Sequence, residues 1–187
     1  MGEKMTEPLR LMWWDIKDSD VRFNYINTLL RNLPGRFGIE LRRRFIARHF
    51  ASCGDGVVIY EGVRYRGVRH LHVGNNVMLG VDNFIQASGG ITIGNHVMIG
   101  PGVKIWSINH NYADISKPIS EQGFSYEPVT IGDGVWIGAD TFVLPGVTIP
   151  EGCVISARSL VHKKNYPTYS LLGGMPCRVI GTRLKNG

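Results

Sequence analysis

Residues 129–161 read VTIGDGVWIGADTFVLPGVTIPEGCVISARSLV, and from Ile131 an aliphatic residue returns on every sixth position, at Ile137, Val143, Ile149, Ile155 and Val161. With aliphatics at roughly a quarter of average positions, six in step arise by chance on the order of once in several thousand frames. A period of six suits neither a helix nor an alternating strand. It suits a solenoid in which each hexapeptide makes one short strand and one turn, stacking the recurring aliphatic into an apolar interior. The residue after each beat is small or turn-forming, as at Gly132 and Gly138. A second small slot follows four positions after the beat, at Val135, Thr141, Val147, Cys153 and Ser159.

Working outward, the beat also runs Val73, Leu79, Ile85, Ile91 and restarts two residues later as Ile93, Ile99, Ile105. Between 107 and 128 it disappears into polar residues with Pro118 and Gly123, a stretch too long for a corner. Loops of that length inside compact domains are usually functional or disordered. A Pro- and Gly-containing tail follows Val161, with Pro167, Gly173, Gly174 and Pro176, and is expected to pack back along the solenoid.

Residues 1–56 carry no such beat, and their apolar residues recur at helical spacing. Ser19 or Asp20 is expected to cap a helix that turns Tyr25, Ile26, Leu29 and Leu33 toward a core and ends before Pro34. A second helix, Phe37 to Phe50, mixes Ile39, Leu41, Phe45 and Ile46 with Arg42, Arg43, Arg44 and Arg48. It reads as a solvated helix closing the open end of the solenoid, or as a basic face for an anionic membrane or acceptor. The layout is a helical cap over 1–56 and a solenoid over 57–187, with an excursion loop at 107–128 and a tail at 165–187.

The 187 residues allow one substantial domain with a small appendage. The longest apolar stretches fall short of a bilayer-spanning helix and Met1–Pro8 lacks a signal-peptide core, so the chain reads as cytoplasmic, with peripheral contact at the inner membrane face through the basic helix. Three cysteines, Cys53, Cys153 and Cys177, show no metal-type spacing and make a poor disulfide framework. Cys153 occupies an interior slot and reads as inert core. The formal net charge of +6 suggests anionic partners, but the basic residues cluster between Arg31 and Arg48, and no nucleic-acid motif is present.

Local failures of a strong pattern are where function concentrates. At Asn83 and Asn109 an amide stands where the interior slot expects Val, Thr or Ser. His110 follows at the mouth of the excursion loop, and an imidazole with an ordinary pKa near 6.5 is suited to general-base work.

These residues, together with IGNHVMIG at 93–100, PVTIGDGVWIGA at 128–139 and GMPCRV at 174–179, resemble the hexapeptide-repeat acetyltransferases. The likeness is to the sugar O-acetyltransferases of the galactoside and maltose type and their surface-polysaccharide relatives, over roughly 57–180. The resemblance implies an all-β solenoid, a left-handed parallel β-helix with three hexapeptides per coil, an exception to the right-handed crossover rule. It implies a homotrimer with active sites at subunit interfaces, acetyl-CoA as co-substrate and a saccharide acceptor. His110 would be the catalytic base for direct transfer. Consistently, the sequence has no G-x-S-x-G elbow and no evident Cys-His pairing.

For the cofactor, the resemblance implies backbone contacts at Ala139 and Ala157, Trp136 packing against the pantetheine arm, and Lys163 and Arg178 meeting the CoA phosphates or adenine, with His162 as a further contact. An acceptor-contacting Asn of the galactoside enzymes aligns with Gly80 here, so Asp82 or Asn83 is expected to take its place, with Asn109 and Glu127 also facing acceptor. No metal is expected. Three other readings differ in chemistry: N-acetylation of a nucleotide-linked amino sugar, a γ-type carbonic anhydrase, and a non-catalytic trimeric scaffold. Zinc chemistry would need three facing histidines, and only His70 and His72 lie close in sequence.

Overall fold

The computed structural model describes residues 6–184. The first five residues of the Met1–Pro8 stretch and residues 185–187 of the expected tail lie outside the described residues. The beat residues form the inside edge of a three-faced parallel β-helix of about six turns. One face stacks five strands, from Ser52–Cys53 through Leu71–Val73, Ile91–Ile93 and Val129–Ile131 to Thr148–Ile149. The second face has seven strands and the third has five, the latter including Arg64–Arg66, Phe84–Gln86, Lys104–Trp106 and Phe142–Val143. Parallel pairing in register places like on like: Val73 on Ile93, Ile93 on Ile131, Ile131 on Ile149. Ile59, Leu79, Ile85, Ile105, Ile137, Val143, Ile149 and Val161 are all 0% exposed, so the interior is a continuous aliphatic column. Each such side chain removed from water contributes roughly 1.5–3 kcal/mol.

Pairing distances explain the restart of the beat. Asn75 bonds Asn95 twenty residues on, whereas Glu151 bonds Tyr169 eighteen residues on. Early coils are two residues longer, and the extra residues sit at the corner between the third and first faces, where Ile85 and the next equivalent beat, Ile93, stand eight residues apart and not six. Three strict hexapeptides per coil therefore hold only after the excursion.

The expected failure at Asp82–Asn83 is not a failure. Asp82 is a corner residue with φ 57°, stacked between Gly62 at 76° and Gly102 at 68° in the same left-handed conformation. Asx side chains tolerate that region better than most. Asn83 fills the interior slot equivalent to Val63 and Val103, is 0% exposed, and donates its Nδ2 to Gly100 O at 2.7 Å. It is closed to any acceptor. The interior slot near the excursion belongs to Ser107, also 0% exposed, which accepts from Gly89 N and donates to Gln86 O. Asn109 lies beyond it, exposed, after the chain has left the prism.

The N-terminal cap differs from expectation in three ways. A helix before the expected one, α1 (Glu7–Lys17), starts with Pro8 in its first turn and ends at Asp18, which then caps α2 (Ser19–Leu30) by accepting from Asp20 N and Val21 N. The cap is therefore Asp18, one residue ahead of Ser19. Second, α2 buries Phe23 and Asn27, while Tyr25 and Leu29 face solvent. The core-facing stripe runs through Phe23, Ile26, Asn27 and Leu30, because Asn27 turns inward to donate to Val63 O. Third, α3 (Gly35–Phe45) is not basic on its solvent face alone: Arg42 is 1% exposed. Its guanidinium donates to Ile59 O and, where α2 ends, to Leu33 O, which have no backbone donor, and to Leu30 O and Arg31 O, which also accept from Leu33 N and Gly62 N. Burial lowers its pKa; Nε and Nη1 donate to those carbonyls, while Nη2 is buried without a partner.

The excursion is an ordered arm. Ile108–His110 and Phe124–Tyr126 pair antiparallel, and Glu127 N returns to Ser107 O where the chain re-enters the prism. At the tip, Gln122 bonds Asp114, Lys117 and Asn111. The tail extends the second face, Ser170–Gly173 parallel on Val154–Ile155 and Arg178–Thr182 antiparallel at the edge. Cys153 and Cys177 are buried, and Cys153 Sγ meets Pro167 O at 3.3 Å.

Candidate active site

His110 stands on the projecting arm, exposed, with its ring 4.4 Å from that of Phe124 on the paired strand. Two paired strands hold the imidazole in place more firmly than an open loop would. Asn109 Oδ1 accepts from His110 N at 3.0 Å, which ties the amide to the backbone of the histidine. Among the described residues, no side chain hydrogen-bonds the imidazole nitrogens of His110, which is exposed. Asn109 and His110 line a hollow of about 480 Å³ with Ser125, Glu127 and the tip residues of the arm.

Glu127 and Lys163, assigned in sequence to acceptor and cofactor, meet each other: Lys163 Nζ lies 2.8 Å from Glu127 Oε2. They close over Gly146, whose φ is 74° and where a Cβ would come within 2.6 Å of Glu127 Oε2 and 3.2 Å of Lys163 Cδ. His162 sits beside them with Tyr166 Oη donating to its carbonyl, and its Nδ1 is buried without a partner.

The remaining cofactor candidates sit elsewhere on the prism. Trp136 points outward from the second face at 52% exposure, next to Met98 and Val154, so it is not ordinary interior packing. Ala139 and Ala157 stack at the second corner, where Arg158 N donates to Ala139 O at 2.8 Å. A Cβ on Gly138 would come within 2.5 Å of Ala157 N, so this corner is tightly stacked. Arg178 is exposed on the edge strand of the second face. Within one chain the candidates thus fall into two groups: His110, Asn109, Glu127, His162 and Lys163 at the third corner, and Trp136, Ala139, Ala157 and Arg178 around the second face and its corner. Asp82 stands at the same corner as Ala139, two coils earlier under Gly102 and Asp140, where it lines a hollow with Arg31 and Lys104.

Sequence reasoning passed over a cleft of about 470 Å³ below the arm, lined by Arg66, Arg69, His70 and Ser88 and by Tyr126 of the arm itself. Outward positions of a hexapeptide are free to vary, so no periodic signal marks them. Among the described residues, no three His, Cys, Asp or Glu side chains gather into a metal-binding group, and His72 instead shares a hydrogen bond of 3.0 Å with Ser52.

The three-faced parallel β-helix is shared with left-handed β-helix acetyltransferases of known structure, and the chain's relatives place it among the acyltransferases. Family models agree: residues 71–106 match the hexapeptide repeat of succinyl-transferase and residues 128–163 the bacterial transferase hexapeptide. The chain is 33% identical over 143 residues to the galactoside O-acetyltransferase of Escherichia coli, covering 76% of this chain and 68% of that protein. Among solved structures, a galactoside acetyltransferase in complex with coenzyme A superposes with a TM-score of 0.79 at 28% identity, covering 97% of this chain and 92% of that one. A maltose O-acetyltransferase from Clostridium difficile gives 0.78 at 28%, covering 91% of each chain. The chain belongs to the hexapeptide-repeat acetyltransferase family, among the sugar O-acetyltransferases.

Proposed function

We propose that the protein transfers the acetyl group of acetyl-CoA directly to a saccharide hydroxyl, with His110 as general base. His110 accepts the hydroxyl proton while the oxygen attacks the thioester carbonyl. The carbon–sulfur bond then breaks, and the departing CoA thiolate takes the proton from the imidazolium. Base catalysis of this kind contributes roughly 10²–10⁴-fold, with alignment of two bound substrates supplying much of the remainder.

The observation that carries this reading is the placement of an exposed imidazole, braced by Phe124, on an ordered arm that stands away from its own prism. A base so placed needs a second surface to enclose the reaction. A homotrimer supplies it, with the second face and corner of one subunit, carrying Trp136, Ala139, Ala157 and Arg178, set against the arm of another. Exposed Trp136 and Met98 on that face suit contact with a pantetheine arm, and Arg178 suits the CoA phosphates. Lys163 reaches a phosphate by leaving Glu127. Relatives that act on galactosides and maltose motivate the saccharide acceptor.

Among the described residues no helix is long and apolar enough to cross a membrane. A cytoplasmic location, with the Arg31–Arg48 region against the inner membrane face, belongs to the same proposal and is tested by cell fractionation. The reaction itself is tested by following free thiol while the protein is incubated with acetyl-CoA and a panel of sugars, nucleotide sugars and lipid-linked saccharides. Acceptor-dependent thiol release with an acetyl ester in the product supports it. Acetylation of amino sugars alone, or of nothing in the panel, overturns it.

A further inference from the structure

Along the arm, side chains alternate between its two sides, so Ile108, His110, Phe124 and Tyr126 share one side and Asn109 and Ser125 the other. On the His110 side, Tyr126 at the base of the arm lines the cleft that runs between α2 and the third corner of the prism. That cleft holds Arg66, Arg69 and His70. Arg66 also lines a second hollow with Arg31 and Arg64, and both of these line a third with Lys104. The three hollows make one groove from the arm along α2, walled by five Arg and Lys side chains. Its carboxylates are Asp82, at the far end, and Asp20, which meets Arg69 through Nε at 3.5 Å. The hydroxyl of Tyr65, on the same wall, is buried without a hydrogen-bond partner.

We infer that this groove binds the phosphate or diphosphate of the acceptor, so that the saccharide acetylated beside His110 is a phosphate ester and not a neutral sugar. The inference rests on the transfer reaction proposed above. Arginine suits the role because its planar fork can donate two parallel hydrogen bonds to phosphate oxygens. Reach agrees: His110 lies two residues out from the Ile108–Tyr126 pair, roughly 7 Å at the rise of a strand. One sugar ring fills that gap, with its phosphate held at Arg66 and Arg69 and a distal hydroxyl presented to the imidazole. The remainder of the groove, past Arg64 and Arg31, accommodates whatever continues beyond the phosphate, a nucleoside or a polyprenyl chain.

The test compares a free sugar, its 1-phosphate, its nucleotide-linked form and its lipid-linked diphosphate as acceptors, using the intact protein and Arg66→Ala/Arg69→Ala. Binding of the 1-phosphate alone is measured in parallel by calorimetry. The expected result is a kcat/KM at least about 10-fold higher for phosphorylated acceptors. That ratio should fall toward one in the double variant and recover in part in Arg66→Lys/Arg69→Lys. Calorimetric affinity should fall in the same order and drop at about 0.5 M salt, as an open ionic contact requires. Preference between the nucleotide- and lipid-linked forms identifies the source of the phosphate. An unchanged thermal midpoint and unchanged acetyl-CoA affinity in the double variant show that the fold is intact. A free sugar that serves as well as its phosphate, or a selectivity that survives the double variant, overturns the inference. If no acceptor is acetylated but the 1-phosphate binds and the double variant loses it, the transfer reading fails and the groove stands. If the 1-phosphate does not bind even at low salt, the groove fails whatever the turnover.

Discussion

Lys163 Nζ lies 2.8 Å from Glu127 Oε2, joining the residue at which the arm re-enters the prism to the corner two coils further on, across Gly146. Both side chains are substantially exposed, at 70% and 41%, so the pair is screened by water and salt. A double-mutant cycle with Glu127→Gln and Lys163→Met should return a coupling of about 0.2–1 kcal/mol that fades at high salt. A coupling well above that range would mean the pair is enclosed. In kinetics, Glu127→Gln should leave kcat within about 3-fold of the parent and alter mainly the KM for acetyl-CoA, because it releases Lys163 and not His110.

His110→Ala should lower kcat by about 10²–10⁴-fold with little change in acetyl-CoA affinity. Equilibrium binding of acetyl-CoA measured beside single-turnover acetylation separates the two effects. Retained turnover would remove the imidazole from the base role. Phe124→Ala, which takes away the ring bracing the histidine, should lower kcat by a smaller factor and leave the pH profile in place.

Arg42 joins the end of α2 to the first coil through four backbone carbonyls. Arg42→Met leaves Ile59 O and Leu33 O without a donor, while Leu30 O and Arg31 O keep those of Leu33 N and Gly62 N, and should cost about 3 kcal/mol or more in urea denaturation. Arg42→Lys should recover only part of this, since one ammonium cannot span Ile59 O and Leu33 O as the guanidinium does. Equal stability of parent and both variants would contradict the packing described.

Asn83 sits in a column of Val63 and Val103 with its Oδ1 unpartnered. Asn83→Val loses the bond to Gly100 O but also removes a buried orphan, and should be neutral or stabilising. Asn83→Asp should destabilise, with a definite pH dependence. A carboxyl buried there has its folded pKa raised above the unfolded one, so stability holds below the unfolded pKa and is lost as pH rises through it. Chemical denaturation at pH 4 and pH 7 distinguishes the two signs.

Burial pushes the Cys53 thiol up from its usual range, and those of Cys153 and Cys177 likewise. A raised pKa means less thiolate at a given pH, so alkylation of the exposed Cys53 should be slower than that of a free cysteine at pH 8 and accelerate as pH rises. Thiol titration should find one reacting group in the native protein and three after denaturation, with Cys153 and Cys177 protected. Three reacting thiols in the native state would show that the column around Cys153 is open.

The solenoid was legible because its interior imposes the same demand at every sixth residue, and Ile131, Ile137 and Val143 answer it without reference to their neighbours. Cys153 was placed correctly in the core for the same reason. Asn83 was misread because an amide breaks the composition of a column and not its geometry: Gly100 O, on the next coil, accepts from its Nδ2 inside the column. In the helical cap, the Asn27 bond to Val63 O pulls the buried face of α2 away from Tyr25 and Leu29. Arg42 was read as solvated because three of its acceptors lie at the end of another helix.

The sequence by itself determined a stacked hexapeptide prism interrupted twice, and placed Asn109 and His110 where the longer interruption begins. Tertiary structure alone decided that the excursion is a paired arm with His110 against Phe124, that Glu127 is taken by Lys163, and that Arg66 and Arg69 share a cleft with Tyr126. The physical reason is that burial acts on each residue singly and repeats with the coil. A site is made of outward side chains from different coils, brought together only when the corners, the arm and the helical cap have taken their places.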